Sequence, residues 1–300
     1  MLDTLTGTAQ SHGMMLADRS ISSGSASAAA PSPLPRLLAL GRTVVMGVLN
    51  VTLDSFSDGG HFLDPAQALG HAQSMIAEGA DIIDIGAESS RPYSGAVPVS
   101  AEDELARLAP VFSKVVGLGV PVSIDTMKAE VADWAIQAGA AMVNDVWGLQ
   151  RDPVMAEVVA RHQVPVVIMH NRDAADPAID IMADMDAFFC RSLDIAARAG
   201  IGRHRIVLDP GIGFGKTPEQ SIAALAHLGR LKSFGLPLLV GASRKRFINS
   251  VVPSEPHERL GGSLAAHLLA VENGAAMVRV HDVAPTVQAL RVADAIRRAP

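Results

Sequence analysis

Gly79-Ala80-Asp81-Ile82-Ile83-Asp84-Ile85-Gly86 carries the reading that decides the fold. A glycine suited to the left-handed end of a helix is followed within a few residues by a short run rich in branched apolar side chains. The same joint recurs at Gly139-Ala140 ahead of 141–143 and at Gly274-Ala275 ahead of 276–280. A second joint, Val120-Pro121, Val164-Pro165 and Leu236-Pro237, places proline at the first strand position, where its missing N–H costs little. Working outward from these joints gives eight apolar runs, at 44–49, 82–85, 121–124, 141–143, 165–169, 206–208, 237–240 and 276–280. They are continuously apolar rather than alternating, as parallel strands covered on both faces by helices are. The stretch from Asp64 to Glu78 illustrates the helices between them. Asp64 can cap, Pro65 suits the first position, Ala68, Leu69, Ala72, Met75 and Ile76 share a face, and Gly79 stops the helix. Generic helix-to-strand turns of an α/β protein would account for the joints but not for eight strands in one chain. The pattern predicts an α/β protein with one (β/α)8 TIM barrel.

The chain has 300 residues, and from Ser20 to Pro35 it is mostly Ser, Ala, Gly and Pro without helical or strand period. Residues 1–38 are therefore expected to form a flexible tail and residues 39–300 the barrel, roughly 260 residues against the ~250 typical of this architecture. No apolar run approaches the roughly 20 residues that span a bilayer, and no signal peptide is read at the N-terminus. Acidic residues outnumber Lys and Arg by 31 to 25, which opposes non-specific attraction to nucleic acid or anionic lipid. An anionic ligand then needs a local basic cluster. A single cysteine, Cys190, excludes an internal disulfide and fits a reducing cytoplasm; on its amphipathic helix it is expected to be buried and inert.

Each apolar run ends in hydrogen-bonding or charged residues: Asn50, Asp84 with Glu88, Asp125, Asn144, His170, Asp209, Ser243 to Lys245, and Arg279 with His281. One Asp after a strand is usually a turn residue. Eight polar strand ends in a barrel converge on one mouth, where barrel enzymes place their chemistry. Arg279 and His281 alternate along the last strand and so point the same way, a pair of donors suited to a phosphate. Gly211 to Thr217 has the Gly-Lys-Thr of a phosphate-binding loop without its spacing or context, and is read as a barrel loop carrying Phe214. His170 could be a ligand or a hydrogen-bonded structural histidine, and the sequence leaves both open.

Taken in order, these strand ends resemble a known family. The segments 50–60, Asp84-Ile85-Gly86-Ala87-Glu88-Ser89-Ser90-Arg91-Pro92, Ser123-Ile124-Asp125-Thr126, Val143-Asn144-Asp145, 208–217, Gly241-Ala242-Ser243-Arg244-Lys245 and Arg279-Val280-His281-Asp282 are similar to the motif series of the dihydropteroate synthases, pterin-binding barrels. The resemblance spans about residues 42–290. It implies a folate-pathway transferase that joins 6-hydroxymethyl-7,8-dihydropterin diphosphate to 4-aminobenzoate, uses Mg2+, and works as a cytoplasmic homodimer on small molecules.

The resemblance also implies roles. Asp125, Asn144 and Asp209 hold the pterin and Lys245 reaches its ring carbonyl, with Asp125, Lys245 and Asp58 as the catalytic set. Asn50, Arg91, Arg279 and His281 hold the diphosphate, and Asn50 with Asp58 holds the metal. Phe56, Ser90, Pro92, Phe214 and Ser243 shape the aminobenzoate end. Carboxylates and a side-chain amide match the N–H donors of a pterin edge, and a buried carboxylate stabilises positive charge developing in the ring. The sequence departs from the family pattern at Leu53, where proline is usual, at Ser90, where threonine is common, and at Tyr93-Ser94, where glycine is expected. Two alternatives accompany this reading: a non-catalytic pterin-binding paralogue, and a corrinoid-dependent methyltetrahydrofolate methyltransferase. The latter needs the pterin carboxylates but not the diphosphate set.

Overall fold

Eight short parallel strands form the frame: β1 (Val44–Asn50), β2 (Ile82–Gly86), β3 (Val122–Asp125), β4 (Met142–Asp145), β5 (Val166–Met169), β6 (Ile206–Asp209), β7 (Leu239–Val240) and β8 (Met277–Val280). The computed structural model describes residues 32–51, 64–88 and 99–299. The strands pair in the order β6-β5-β4-β3-β2-β1-β8-β7. A parallel bridge between Leu208 and Leu238, just ahead of β7, closes the ring. β7 is shorter than the run that announces it because Pro237 has no N–H to donate; its carbonyl still accepts from Leu208 N at 3.0 Å.

One helix precedes β1 and helices follow each strand. They are α1 (Leu34–Leu38), α2 (Pro65–Ala77), α3 (Ala101–Leu108), α4 (Phe112–Val116), α5 (Ala129–Gln137), α6 (Met155–His162), α7 (Ile181–Ala199), α8 (Pro218–Ala226), α9 (Arg246–Val251), α10 (Leu260–Glu272) and α11 (Val283–Arg297). In α2 the Asp64 carboxylate accepts from Ala66 N at 3.0 Å, Pro65 opens the helix, and Ala68, Ala72 and Met75 are buried. Gly79, just past its end, has φ +103°, a backbone angle glycine adopts without strain.

Strand side chains alternate between the helical shell and the barrel interior. Outward-facing Ile83, Ile85, Val143, Ile168, Leu208 and Val278 join the large core under the helices. Inward-facing Val44, Met46, Ile82, Met142, Val167, Val207, Leu239 and Met277 form a separate core at the N-terminal end of the barrel. Leu34 and Leu37 of α1, 1% and 4% exposed, belong to that second core. The expected tail of residues 1–38 therefore ends too late, since α1 plugs the barrel; residues 1–31 lie outside the described residues. Cys190 of α7 is exposed, against the expectation of a buried thiol, because it lies off the face carrying Phe188 and Phe189. No helix among the described residues is long and apolar enough to cross a membrane.

Candidate active site

Farther along the same inward-facing positions, the side chains turn from apolar to polar. Asp84 follows Ile82, Asn144 follows Met142, Asp209 follows Val207 and Arg279 follows Met277, each two residues toward the C-terminal end of its strand. Strand register carries the row across: Asn50 pairs with Gly86, Gly86 with Asp125, and Asp125 with Asn144. Asn50 itself is exposed at the end of β1.

Arg279 organises the centre. Its Nε donates to Asp84 Oδ2 at 2.6 Å and its Nη2 to Asp125 Oδ2 at 2.6 Å. Asn144 Nδ2 donates to the same Asp84 oxygen at 3.0 Å. These contacts use two of the five guanidinium N–H groups and tie β2, β3, β4 and β8 together. The Asp84 and Asp125 carboxylates hold Arg279 above its ordinary value, overcoming burial. Burial pushes the Asp125 carboxyl up to about 7 against the pull of Arg279, and the charge of Asp84 adds to the rise. Three buried polar atoms, Asp84 Oδ1, Ser123 Oγ and Asn144 Oδ1, have no hydrogen-bond partner among the described residues. A cluster of unanswered acceptors beside a carboxylate calls for a ligand edge rich in N–H donors.

Asp209 stands opposite. Its Oδ1 accepts from Gly211 N at 2.7 Å, and burial pushes it up to about 6 against that bond and the charge of Lys245. Any side chain at Gly211 would force a shift, because at φ +62° a Cβ would stand 1.9 Å from the His170 carbonyl oxygen. Asn144, Asp209, Phe214, Lys245 and Arg279 line one pocket, and the Lys245 ammonium lies 4.0 Å from the centre of the Phe214 ring. Val146, Met169 and Phe214, with Met127 and Trp147 packed against them, give this pocket an apolar wall.

On the far side Ser243 Oγ lies 3.0 Å from His281 Nδ1 and accepts from His281 N at 3.2 Å. The pair of contacts fixes the imidazole of His281 against the Ser243 hydroxyl and leaves Nε2 on the other side of the ring. Burial, with Arg279, Arg244 and Lys245 nearby, lowers His281 to about 3, so it works as a neutral donor rather than a cation. Arg244, itself at φ +57°, pairs with Asp282 through Nε at 2.9 Å and holds the Ser243 loop against β8.

The structure thus brings together Asn50, Asp125, Asn144, Asp209, Phe214, Ser243, Lys245, Arg279 and His281 at the C-terminal mouth of the barrel. Phe56, Asp58, Ser90, Arg91 and Pro92, and the departures at Leu53, Tyr93 and Ser94, lie outside the described residues. Asp84 received no role from the sequence, although it takes two of the hydrogen bonds at the centre. Its inward position, two residues past Ile82, is the signal that points to it.

The family model for pterin binding enzymes matches residues 46–281. The chain belongs to this family. Within the pterin-binding barrels it stands among the dihydropteroate synthases, which are transferases of folate biosynthesis. It is 46% identical over 256 residues to the dihydropteroate synthase of Bacillus subtilis, covering 85% of this chain and 89% of the relative. It is 42% identical to that of Escherichia coli K12, over 84% of this chain and 90% of the relative. Among solved structures, the dihydropteroate synthase of Clostridium difficile in the presence of pteroic acid superposes with a TM-score of 0.82 at 47% identity. That match covers 86% of this chain and 98% of the other. The Xanthomonas albilineans enzyme in complex with 7,8-dihydropteroate gives a TM-score of 0.79 at 44% identity, over 87% and 95% of the two chains. The synthase reading, rather than the methyltransferase or the non-catalytic paralogue, is the one these relatives bear out.

Proposed function

We propose the following division of labour at this mouth for dihydropteroate synthesis. The pterin edge lies on Asp125, Asn144 and Asp209, with Lys245 on the ring carbonyl. The diphosphate lies against Asn50, Arg279 and the neutral His281, joined by Arg91. The aminobenzoate ring packs on Phe214 beside Ser243, with Phe56, Ser90 and Pro92 completing its end. The amine nitrogen forms a C–N bond to the pterin methylene as the C–O bond to diphosphate breaks. The bonding pair leaves with the diphosphate, and the nitrogen releases its extra proton. An aromatic amine is already neutral at pH 7, so the residues serve the leaving group and the electrophilic carbon. Asp125 stabilises the positive charge that spreads into the ring, and Lys245 and Arg279 balance the buried acids around it.

Asn50 offers a hard oxygen at the mouth, the kind of donor Mg2+ takes beside phosphate oxygens and one or two carboxylates, and Asp58 would supply the carboxylate. When bound, the ion supplies positive charge to the departing diphosphate. Assembly as a cytoplasmic homodimer completes the reading. Val251, Leu269, Val292 and Ile296 on α9, α10 and α11 are exposed apolar side chains of the kind such a partner would cover.

The observation that carries the assignment is the set of unanswered acceptors, Asp84 Oδ1 and Asn144 Oδ1, beside the Arg279–Asp125 pair. Diphosphate release from the two substrates with Mg2+ tests it. Asp125→Ala and Lys245→Ala are each expected to lose about 100- to 1000-fold in kcat/KM while remaining folded, as removal of one well-placed electrostatic group typically does. Turnover close to that of the unmodified chain in either variant refutes the corresponding role.

A further inference from the structure

Lys216 belongs to the Gly-Lys-Thr segment that resembles a phosphate loop, yet its side chain turns inward and is buried. Its Nζ lies 2.7 Å from His170 Nδ1, 2.8 Å from the Gly211 carbonyl and 3.0 Å from the Phe214 carbonyl. An ammonium has three N–H donors, and three acceptors stand within 3.0 Å. Nδ1 accepts from Lys216 and the ring proton sits on Nε2, because the atom facing Nε2 is a carboxylate oxygen, which only accepts. That nitrogen donates to Asp184 Oδ2 at 3.0 Å, an oxygen also held by Arg172. Burial keeps the His170 ring far below its ordinary value and therefore neutral, and the edge of Phe188, with ring centres 4.9 Å apart, fixes its plane. Burial lowers Lys216 as well, while the Asp209 and Asp184 charges oppose the loss of its proton.

The chain of bonds ends on the residues that meet the substrates. Gly211 is gripped at both ends, its N–H by Asp209 and its carbonyl by Lys216. Phe214 is held by its carbonyl, and its ring carries the Lys245 ammonium. Around them the backbone runs through Gly211, Gly213 and Gly215 at φ +62°, +81° and +54°, a path with little stiffness of its own. We propose that Lys216, oriented by His170 and Asp184, is a positioning residue that sets Asp209 for the pterin edge and Phe214 for the aminobenzoate ring, and is not a phosphate ligand. This rests on Asp209 holding the pterin and Phe214 the aminobenzoate ring.

Pteroic acid, which spans both ring sites and contains no phosphate, separates the possibilities. Its Kd is measured by calorimetry on the full chain and on Lys216→Met, Asp184→Leu and Asp209→Ala. Lys216→Met is expected to weaken binding tenfold or more, and Asp184→Leu, altered at the outer end of the chain of bonds, a few-fold in the same direction. Unchanged pteroic acid affinity in a folded Lys216→Met overturns the proposal, as does loss confined to dihydropterin diphosphate, which marks a phosphate ligand. Should Lys216→Met fail to fold, Asp184→Leu decides: weaker binding supports the pin and unchanged binding overturns it. Two-dimensional NMR of the imidazole nitrogens adds a readout that packing alone does not move. The His170 proton is expected on Nε2, and a proton on Nδ1 in the unmodified chain removes the basis of the proposal. If Asp209→Ala leaves affinity intact while Lys216→Met reduces it, the assignment of Asp209 to the pterin fails, and what survives is the positioning of Phe214 by Lys216.

Discussion

Asp125 is raised by burial to about 7, so it takes up a proton as the pH falls through that value. A protonated carboxyl gives up part of its acceptor capacity and its charge, both of which the pterin edge uses. The expected outcome is that kcat/KM for the pterin substrate falls about tenfold per pH unit below about 7. Asp125→Asn, slower throughout, loses the fall between pH 7 and 6 and keeps only that of Asp209 below about 6; a flat profile from pH 5 to 8 in the unmodified chain contradicts the role. Gly211→Ala tests the backbone beside it. A Cβ 1.9 Å from the His170 carbonyl, at a φ of +62°, is expected to lower stability by about 2 kcal/mol or more, read by denaturant unfolding. At this scale Asp125, Asn144 and Asp209 were legible because a polar residue closing an apolar run is conspicuous, and Arg279 because it alternates with His281 along the last strand. Asp84 stood among the polar strand ends but was given no role, because it lies between Ile83 and Ile85, where only the inward parity of the strand separates a site residue from a core one. Lys216 was hidden by its resemblance to a phosphate loop.

Between elements, a polar link outside the site joins the β2 and β3 ends to α3. Lys128 Nζ donates to Glu104 Oε2 at 2.7 Å and to Glu88, and Glu88 Oε1 accepts from Val99 N at 3.1 Å. The link thus ties Glu88 to Val99 and, through Lys128, to α3. Glu104 is fully buried, and burial raises its pKa against the pull of Lys128. Lys128→Met strands that carboxylate and is expected to cost about 3–5 kcal/mol, the range for breaking a buried pair from one side. Adding Glu104→Leu should recover much of the loss. The sign with pH follows from the raised carboxyl. Once Lys128 is gone, Glu104 can relieve its burial by protonating, so the destabilisation shrinks at pH 5 relative to pH 8. Equal losses at both pH values would show that Glu104 does not need its partner.

The whole molecule separates its stability from its chemistry along the barrel axis. Strand periodicity made the eight runs, and hence the barrel, readable, because a parallel strand covered on both sides has no polar positions until it reaches the mouth. The N-terminal closure was not readable: Leu34 and Leu37 sit next to the Ser, Ala and Pro of the preceding stretch, and five residues are too few to show a helical period. Their burial only becomes visible against Met46, Ile82, Met142 and Met277, which converge from distant parts of the chain. Two buried leucines at about 1.5–3 kcal/mol each make α1 worth several kcal/mol, less the entropy of ordering five residues. A chain beginning at Ala39 is therefore expected to melt several degrees or more below one beginning at Ser32, at roughly 2–4 °C per kcal/mol for a molecule of this size. The pteroic acid Kd at 25 °C should be the same for both, because α1 packs at the N-terminal end of the barrel and the ligand side chains project at the other. Calorimetric melting of the two versions with parallel titrations checks both halves of the expectation. Equal melting temperatures would mean that the plug contributes nothing to the core it covers, and a change in affinity without a change in melting would couple the two ends of the barrel.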